Sequence, residues 1–87
     1  MKKLLILGAG MMQVPIIQKA ASLGIHTIVA DFNPNAPGIE YADRFLEIST
    51  IDKEAVLNAA KEEHIDGILT TSDYTTHIDT FFFFYIV

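Results

Sequence analysis

The chain has no cysteine in its 87 residues, which excludes disulfides, thiolate zinc sites and cysteine nucleophiles together. Positive charge is scarce. Six Lys and Arg stand against eleven Asp and Glu for a net charge of −5, and no basic run exceeds Lys2-Lys3, so the electrostatic footprint of a nucleic-acid binder is missing. No apolar run approaches the ~20 residues that a membrane span requires. Met1-Lys2-Lys3 followed by LLILGAGMM imitates the basic and apolar regions of a secretion signal, but Gln13 and Pro15 interrupt the imitation. The expectation is a cytoplasmic protein without nucleic-acid or membrane partners. His26, His64 and His77 are scattered without metal-ligand spacing, so no metal site is expected.

What is present is apolar residue in quantity, 51% of the chain. That suits a parallel sheet covered on both faces, whose strands read as apolar runs. Lys3–Leu7 is such a run and ends at the turn Gly8-Ala9-Gly10. A helix is predicted over Gln13–Leu23, where Ile16, Ile17, Ala20, Ala21 and Leu23 recur at three-and-four spacing. Pro15 sits in its first turn and Gly24 stops it. His26–Ala30 is a second strand. The eleven residues FNPNAPGIEYA then read as an irregular loop. Arg44–Ile48 alternates as a short third strand, and Asp52 is placed to cap a helix over Lys53–His64 with Glu54 in its first turn. Gly67–Thr71 is a fourth strand. Strand and helix alternate in the order of an α/β, three-layer Rossmann-like domain with a mainly parallel sheet of four to five strands.

The end departs from this rhythm. Phe81–Val87 has no polar side chain except the Tyr85 hydroxyl, and such an uncharged, β-prone window invites edge pairing unless it is buried. It is expected to add a strand to the sheet, and through it a homodimer is expected.

Three places offer chemistry. Gly8 and Gly10 belong to a strand-to-helix turn of the kind that binds anions, but a dinucleotide fingerprint needs a third glycine where Gln13 stands. The glycines therefore either make the turn alone or lend their amides to an anion. Asp31 lies 23 residues beyond Gly8, close to the roughly 20 expected of a ribose-binding acid. It also precedes Phe32-Asn33-Pro34, as an ordinary turn former does, and that reading is preferred. Ser72-Asp73 follows the fourth strand at the carboxyl edge, where open α/β sheets bind ligands. No histidine is placed to make that serine a nucleophile. His64 is expected to meet the helix dipole, and Glu40 and Glu62-Glu63 to lie on solvated faces.

Taken in order, the GAG turn leading into an apolar helix, ADFNPNAPG, YADRFLEIST, IDKEAV and HIDGILTTSD resemble the N-terminal (preATP-grasp) domain of ATP-grasp enzymes. The likeness is to carbamoyl phosphate synthase large-subunit-like proteins and carboxylate–amine ligases, from about Lys2 to Asp73. It implies a parent in which ATP converts a carboxylate or bicarbonate to an acyl phosphate that an amine or ammonia attacks. It implies further that this domain binds no NAD and no cofactor itself. ATP and magnesium would belong to later ATP-grasp subdomains, the domain's partners. The wall facing the acceptor substrate would be formed at Gly8, Gly10, Met11, Gln13, Asp31, Ser72 and Asp73, with no catalytic residue. Residues 1–73 are then the domain, and 74–87 an atypical tail expected to reflect truncation or a shifted reading frame. Two further readings stay open: a free-standing nucleotide- or anion-binding module, and a self-associating domain.

Overall fold

Five strands form one sheet in the order β3-β2-β1-β4-β5 in a computed structural model of the chain. It describes residues 1–71 and the strand 81–85. β1 (Lys3–Leu7), β2 (His26–Asp31), β3 (Arg44–Glu47) and β4 (Gly67–Thr71) run parallel. The phenylalanine run supplies β5 (Phe81–Tyr85), which pairs antiparallel with β4 from Gly67↔Tyr85 to Thr71↔Phe81. Ser72 and Asp73 lie outside the described residues, as do 74–80 and the last two residues.

Strand residues alternate between two cores. Leu4, Ile6, Val29 and Leu69 point to one face, where helix α1 (Val14–Ser22) adds Ile17 and Ala20. Leu5, Ile28, Ala30 and Ile68 point to the other, where helix α2 (Lys53–Glu63) adds Val56 and Ala60. Both faces of β1 and β2 are thus covered, which is why these strands are apolar at successive positions rather than at alternate ones. Ile6, Ile17 and Ile28 are fully buried, and each contributes on the order of 2–3 kcal/mol of hydrophobic stabilisation.

The helices are shorter than the periodicity predicts. α1 begins one residue later, after a 3-10 turn over Met11–Gln13, and ends at Ser22. Its Leu23 is 64% exposed rather than part of the stripe. Gly24 follows at φ +78°, the left-handed conformation that glycine adopts without strain. At α2 the expected cap is present, Asp52 Oδ1 accepting from the Ala55 N–H at 3.1 Å. His64 closes that helix with its backbone, at φ +55° and with its N–H directed to the carbonyls of Ala60 and Lys61. Glu63 is not a solvated carboxylate. It meets Arg44 Nε at 3.0 Å with its side chain 18% exposed, and so ties α2 to the start of β3.

The chain leaves β1 toward β2 on one side and returns through α2 to β4 on the other. The carboxyl ends of β1 and β4 therefore flank a topological switch point, the crevice where sheets of this kind receive ligands.

Candidate functional site: the carboxyl edge of the sheet

The glycine turn after β1 is held by its own neighbours. The Gly8 N–H donates to the Ala30 carbonyl at 2.7 Å. The Ala9 N–H donates to Asp31 Oδ2 at 2.8 Å, and the Gly10 N–H to Gln13 Oε1 at 2.9 Å. Gln13 sits at the third position of the short helical turn that Gly10 caps, and its side chain reaches back to the cap N–H as the polar residue of a capping box does. In return the Gln13 N–H donates to the Gly10 carbonyl at 3.0 Å.

The glycines make room for that side chain. A Cβ on Gly8 would stand 3.3 Å from Gln13 Cδ, and one on Gly10 would stand 3.1 Å from Gln13 Oε1. Gly8 also has φ +105°, which a residue with a Cβ adopts only under strain. In a dinucleotide-binding turn the corresponding clearance admits the pyrophosphate. Here a buried glutamine fills it.

Asp31 ends β2 and uses both carboxylate oxygens within the chain. Oδ2 takes the Ala9 N–H, and Oδ1 takes the Asn33 N–H at 2.9 Å. The second contact starts the loop as an Asx turn, and Asn33 Oδ1 repeats it with the Asn35 N–H at 2.9 Å. Two successive Asx turns bring Gly38 onto the glycine turn, where its N–H donates to the Ala9 carbonyl at 2.6 Å. A Cβ on Gly38 would lie 2.7 Å from that carbonyl oxygen and 2.8 Å from Ile17 Cδ1. The loop is thus a strap that lies against the turn, with Ala36 buried in the α1 core. Sequence reasoning places Asp31 as a turn former. It does not find the strap, because nothing local marks Gly38 as the point of contact.

Exposed apolar side chains rim the same edge. Met11 is 72%, Met12 68% and Phe32 73% exposed, the methionines following β1 and the phenylalanine following β2. Of the residues expected to face an acceptor, Gly8, Gly10, Met11, Gln13 and Asp31 are brought together here.

The opposite edge carries a cleft of about 220 Å³ lined by Met1, Ala21, Gly24, Ile25, His26 and Asp43. Its carboxylate is structural. Asp43 Oδ2 accepts from the Thr27 N–H at 2.8 Å and from Thr27 Oγ1 at 3.2 Å, fixing a fully buried threonine. His26 Nδ1 stands 3.8 Å from the same oxygen. Among the described residues no group of three or more His, Asp or Glu side chains is placed to hold a metal ion. Nor is any helix among them long and apolar enough to cross a membrane.

A mainly parallel sheet with a β1–β4 switch point, and a glycine turn filled from within, defines a Rossmann-like α/β domain whose turn is not organised for a dinucleotide. Residues 4–79 match the family described as PylC-like, N-terminal domain. The chain belongs to that family, an N-terminal domain of the ATP-grasp superfamily. It is 35% identical over 69 residues to the formate-dependent phosphoribosylglycinamide formyltransferase of Sulfurisphaera tokodaii, covering 79% of this chain and 17% of that protein. The enzyme of the same name from Wolinella succinogenes is 36% identical over 67 residues, 77% of this chain and 17% of its own length. Among solved structures, N5-carboxyaminoimidazole ribonucleotide synthetase from Thermotoga maritima superposes with a TM-score of 0.74 at 25% identity, over 87% of this chain and 21% of that one. Phosphoribosylglycinamide synthetase from Anaerococcus prevotii gives 0.72 at 37% identity, over 80% and 18%. The chain therefore spans only about a fifth or less of these proteins' lengths.

Proposed function

We propose that the chain is the substrate-side domain of an ATP-dependent carboxylate–amine ligase and is not catalytic alone. In such a ligase ATP activates a carboxylate, or bicarbonate in the narrower carbamoyl phosphate synthase-like version, as an acyl phosphate. An amine or ammonia then displaces the phosphate. This domain would contribute one wall of the acceptor site, from Gly8, Gly10, Met11, Gln13 and Asp31 together with Ser72 and Asp73. With the turn amides of residues 8–10 already bonded, the surface it offers is the exposed Met11 and the Asp31 loop. We assign ATP and magnesium to further subdomains of the parent, a reading compatible with the chain covering only 17% and 21% of two relatives' lengths. We further propose a cytoplasmic compartment, with residues 1–73 as the domain proper and the tail adding β5 to its sheet.

One observation supports this reading above the rest: the family match runs continuously from β1 through both strand-end loops to residue 79. The test is the coding DNA from codon 73 onward, read in all three frames. An ATP-binding core in any frame, or on a separately encoded chain that co-purifies with this one, is the expected result. Absence of both would overturn the proposal.

A second property is favoured by β5. Its five residues carry no charge and no proline, two of the devices that protect an edge strand. We propose that a second copy pairs there to form a homodimer. Sedimentation over a range of concentrations tests this, and a persistent monomer would refute it.

A further inference from the structure

We infer that Gln13 and Asp31, each on its own backbone amide, are the specificity determinants that close the glycine turn to the phosphates of nucleotides. This goes beyond the ligase assignment and does not depend on it. The turn has the conformation of an anion-binding turn in the respects that glycine provides: Gly8 at φ +105° and Gly10 entering a helix. It lacks the free space and two of the free donors. The Gln13 amide group occupies the space beside Gly8 and Gly10, and its Oε1 takes the Gly10 N–H. Asp31 takes the Ala9 N–H and sets a carboxylate 2.8 Å from that nitrogen. A phosphate oxygen approaching the turn would have to displace a buried side chain from one amide and meet a like charge at the other. Both terms oppose binding, since a carboxylate hydrogen-bonded to a backbone N–H is already a charge-assisted pair.

The arrangement can be undone at two side chains. Gln13→Gly supplies the third glycine of the dinucleotide fingerprint that Gly8 and Gly10 begin, and it removes the filling side chain. Asp31→Ala releases the Ala9 N–H and removes the neighbouring charge. The 87-residue chain and its Q13G, D31A and double variants are titrated with inorganic pyrophosphate and with NAD, following the amide resonances of Gly8, Ala9 and Gly10. The native chain is expected to show no saturable shift at these amides. The double variant is expected to show a saturable shift with pyrophosphate. Its affinity should lie about 10- to 100-fold above the detection limit reached with the native chain, as recovery of one or two charge-assisted hydrogen bonds implies.

Two results overturn the inference: a native chain that binds as tightly as the double variant, or a folded double variant that gains nothing. If the double variant does not fold, the native chain decides through amide hydrogen exchange. Slow exchange at Ala9 and Gly10 with no pyrophosphate-induced shift supports closure. Exchange at the open-chain rate, or a shift at these amides on adding pyrophosphate, refutes it.

Discussion

The two helices that flank the sheet are built on different terms. α2 starts with an aspartate whose carboxylate caps the Ala55 N–H, and its first turn carries Glu54. α1 starts without a side-chain cap of that kind. Its entry is the Met11–Gln13 turn, where Gln13 bonds back to Gly10 and Asp31 reaches across from β2 to Ala9. The helix away from the switch point thus stabilises itself locally. The helix at the switch point has a local contact of its own, Gln13 to Gly10, and adds long-range ones from Asp31 and the β2 loop. The ends differ as well: α1 stops at a glycine with φ +78°, and α2 stops at a histidine with φ +55°. Where a ligand crevice lies, the local cap of Gln13 on Gly10 is joined by contacts from the rest of the fold, Asp31 and Gly38 on Ala9.

The two helix entries should separate most sharply on substitution of Gly38. Gly38→Ala sets a Cβ 2.7 Å from the Ala9 carbonyl oxygen and 2.8 Å from Ile17 Cδ1. That oxygen already accepts the Gly38 N–H, so relief requires the strap to lift from the glycine turn. The expected cost is about 2–3 kcal/mol, in the range of core overpacking, read as a lower midpoint in urea unfolding. Gly24→Ala is the control. Nothing lies within 4 Å of its added Cβ, so only the left-handed conformation is penalised, at about 1 kcal/mol. Amide shifts at Ala9 and Gly10 should follow the first substitution and not the second.

At the start of α2, Asp52→Ala removes a single local hydrogen bond. A loss of about 1 kcal/mol is expected, again from urea unfolding, with the resonances of Gly8–Gln13 unmoved. A shift of those resonances would mean that the two helix entries are coupled rather than independent.

What was legible in the sequence divides along the same line. β1 and β4 occupy the predicted residues, and the Asp52 cap is where the pattern puts it, because an apolar run ending at glycine and an acid before a helical stretch are local signals. The family resemblance was equally legible, being carried by motifs in order. Near the crevice the signals are shared between distant residues. Gln13 reads as a missing glycine, and only the fold shows that its side chain uses the space left by Gly8 and Gly10. Asp31 reads as a turn former and is one, but its bond to Ala9 spans 22 positions. Glu63 reads as solvated because its partner, Arg44, is 19 positions earlier on another element. Leu23 fits the helical period and is nevertheless exposed, since α1 ends before the core reaches it.

The smallest expected effect lies at the end of α2. The sequence EEHIDG puts histidine where helices commonly end on glycine, and His64 takes the left-handed conformation with its side chain exposed. For a residue with a Cβ that conformation costs roughly 1–2 kcal/mol, while a glycine loses about 0.5–1 kcal/mol more in conformational entropy on folding. His64→Gly should therefore stabilise the chain by about 0.5–1 kcal/mol, a rise in Tm of a few degrees, roughly 4–8 °C per kcal/mol for a domain of this size. His64→Ala separates the two possible sources. It removes the imidazole and keeps the strained backbone, so it should leave Tm nearly unchanged if strain is the cause. A fall in Tm for both variants would instead mean that the imidazole stabilises the helix end by more than the strain costs. In that case α2 would be stabilised by a side chain at both of its ends, Asp52 at the start and His64 at the finish.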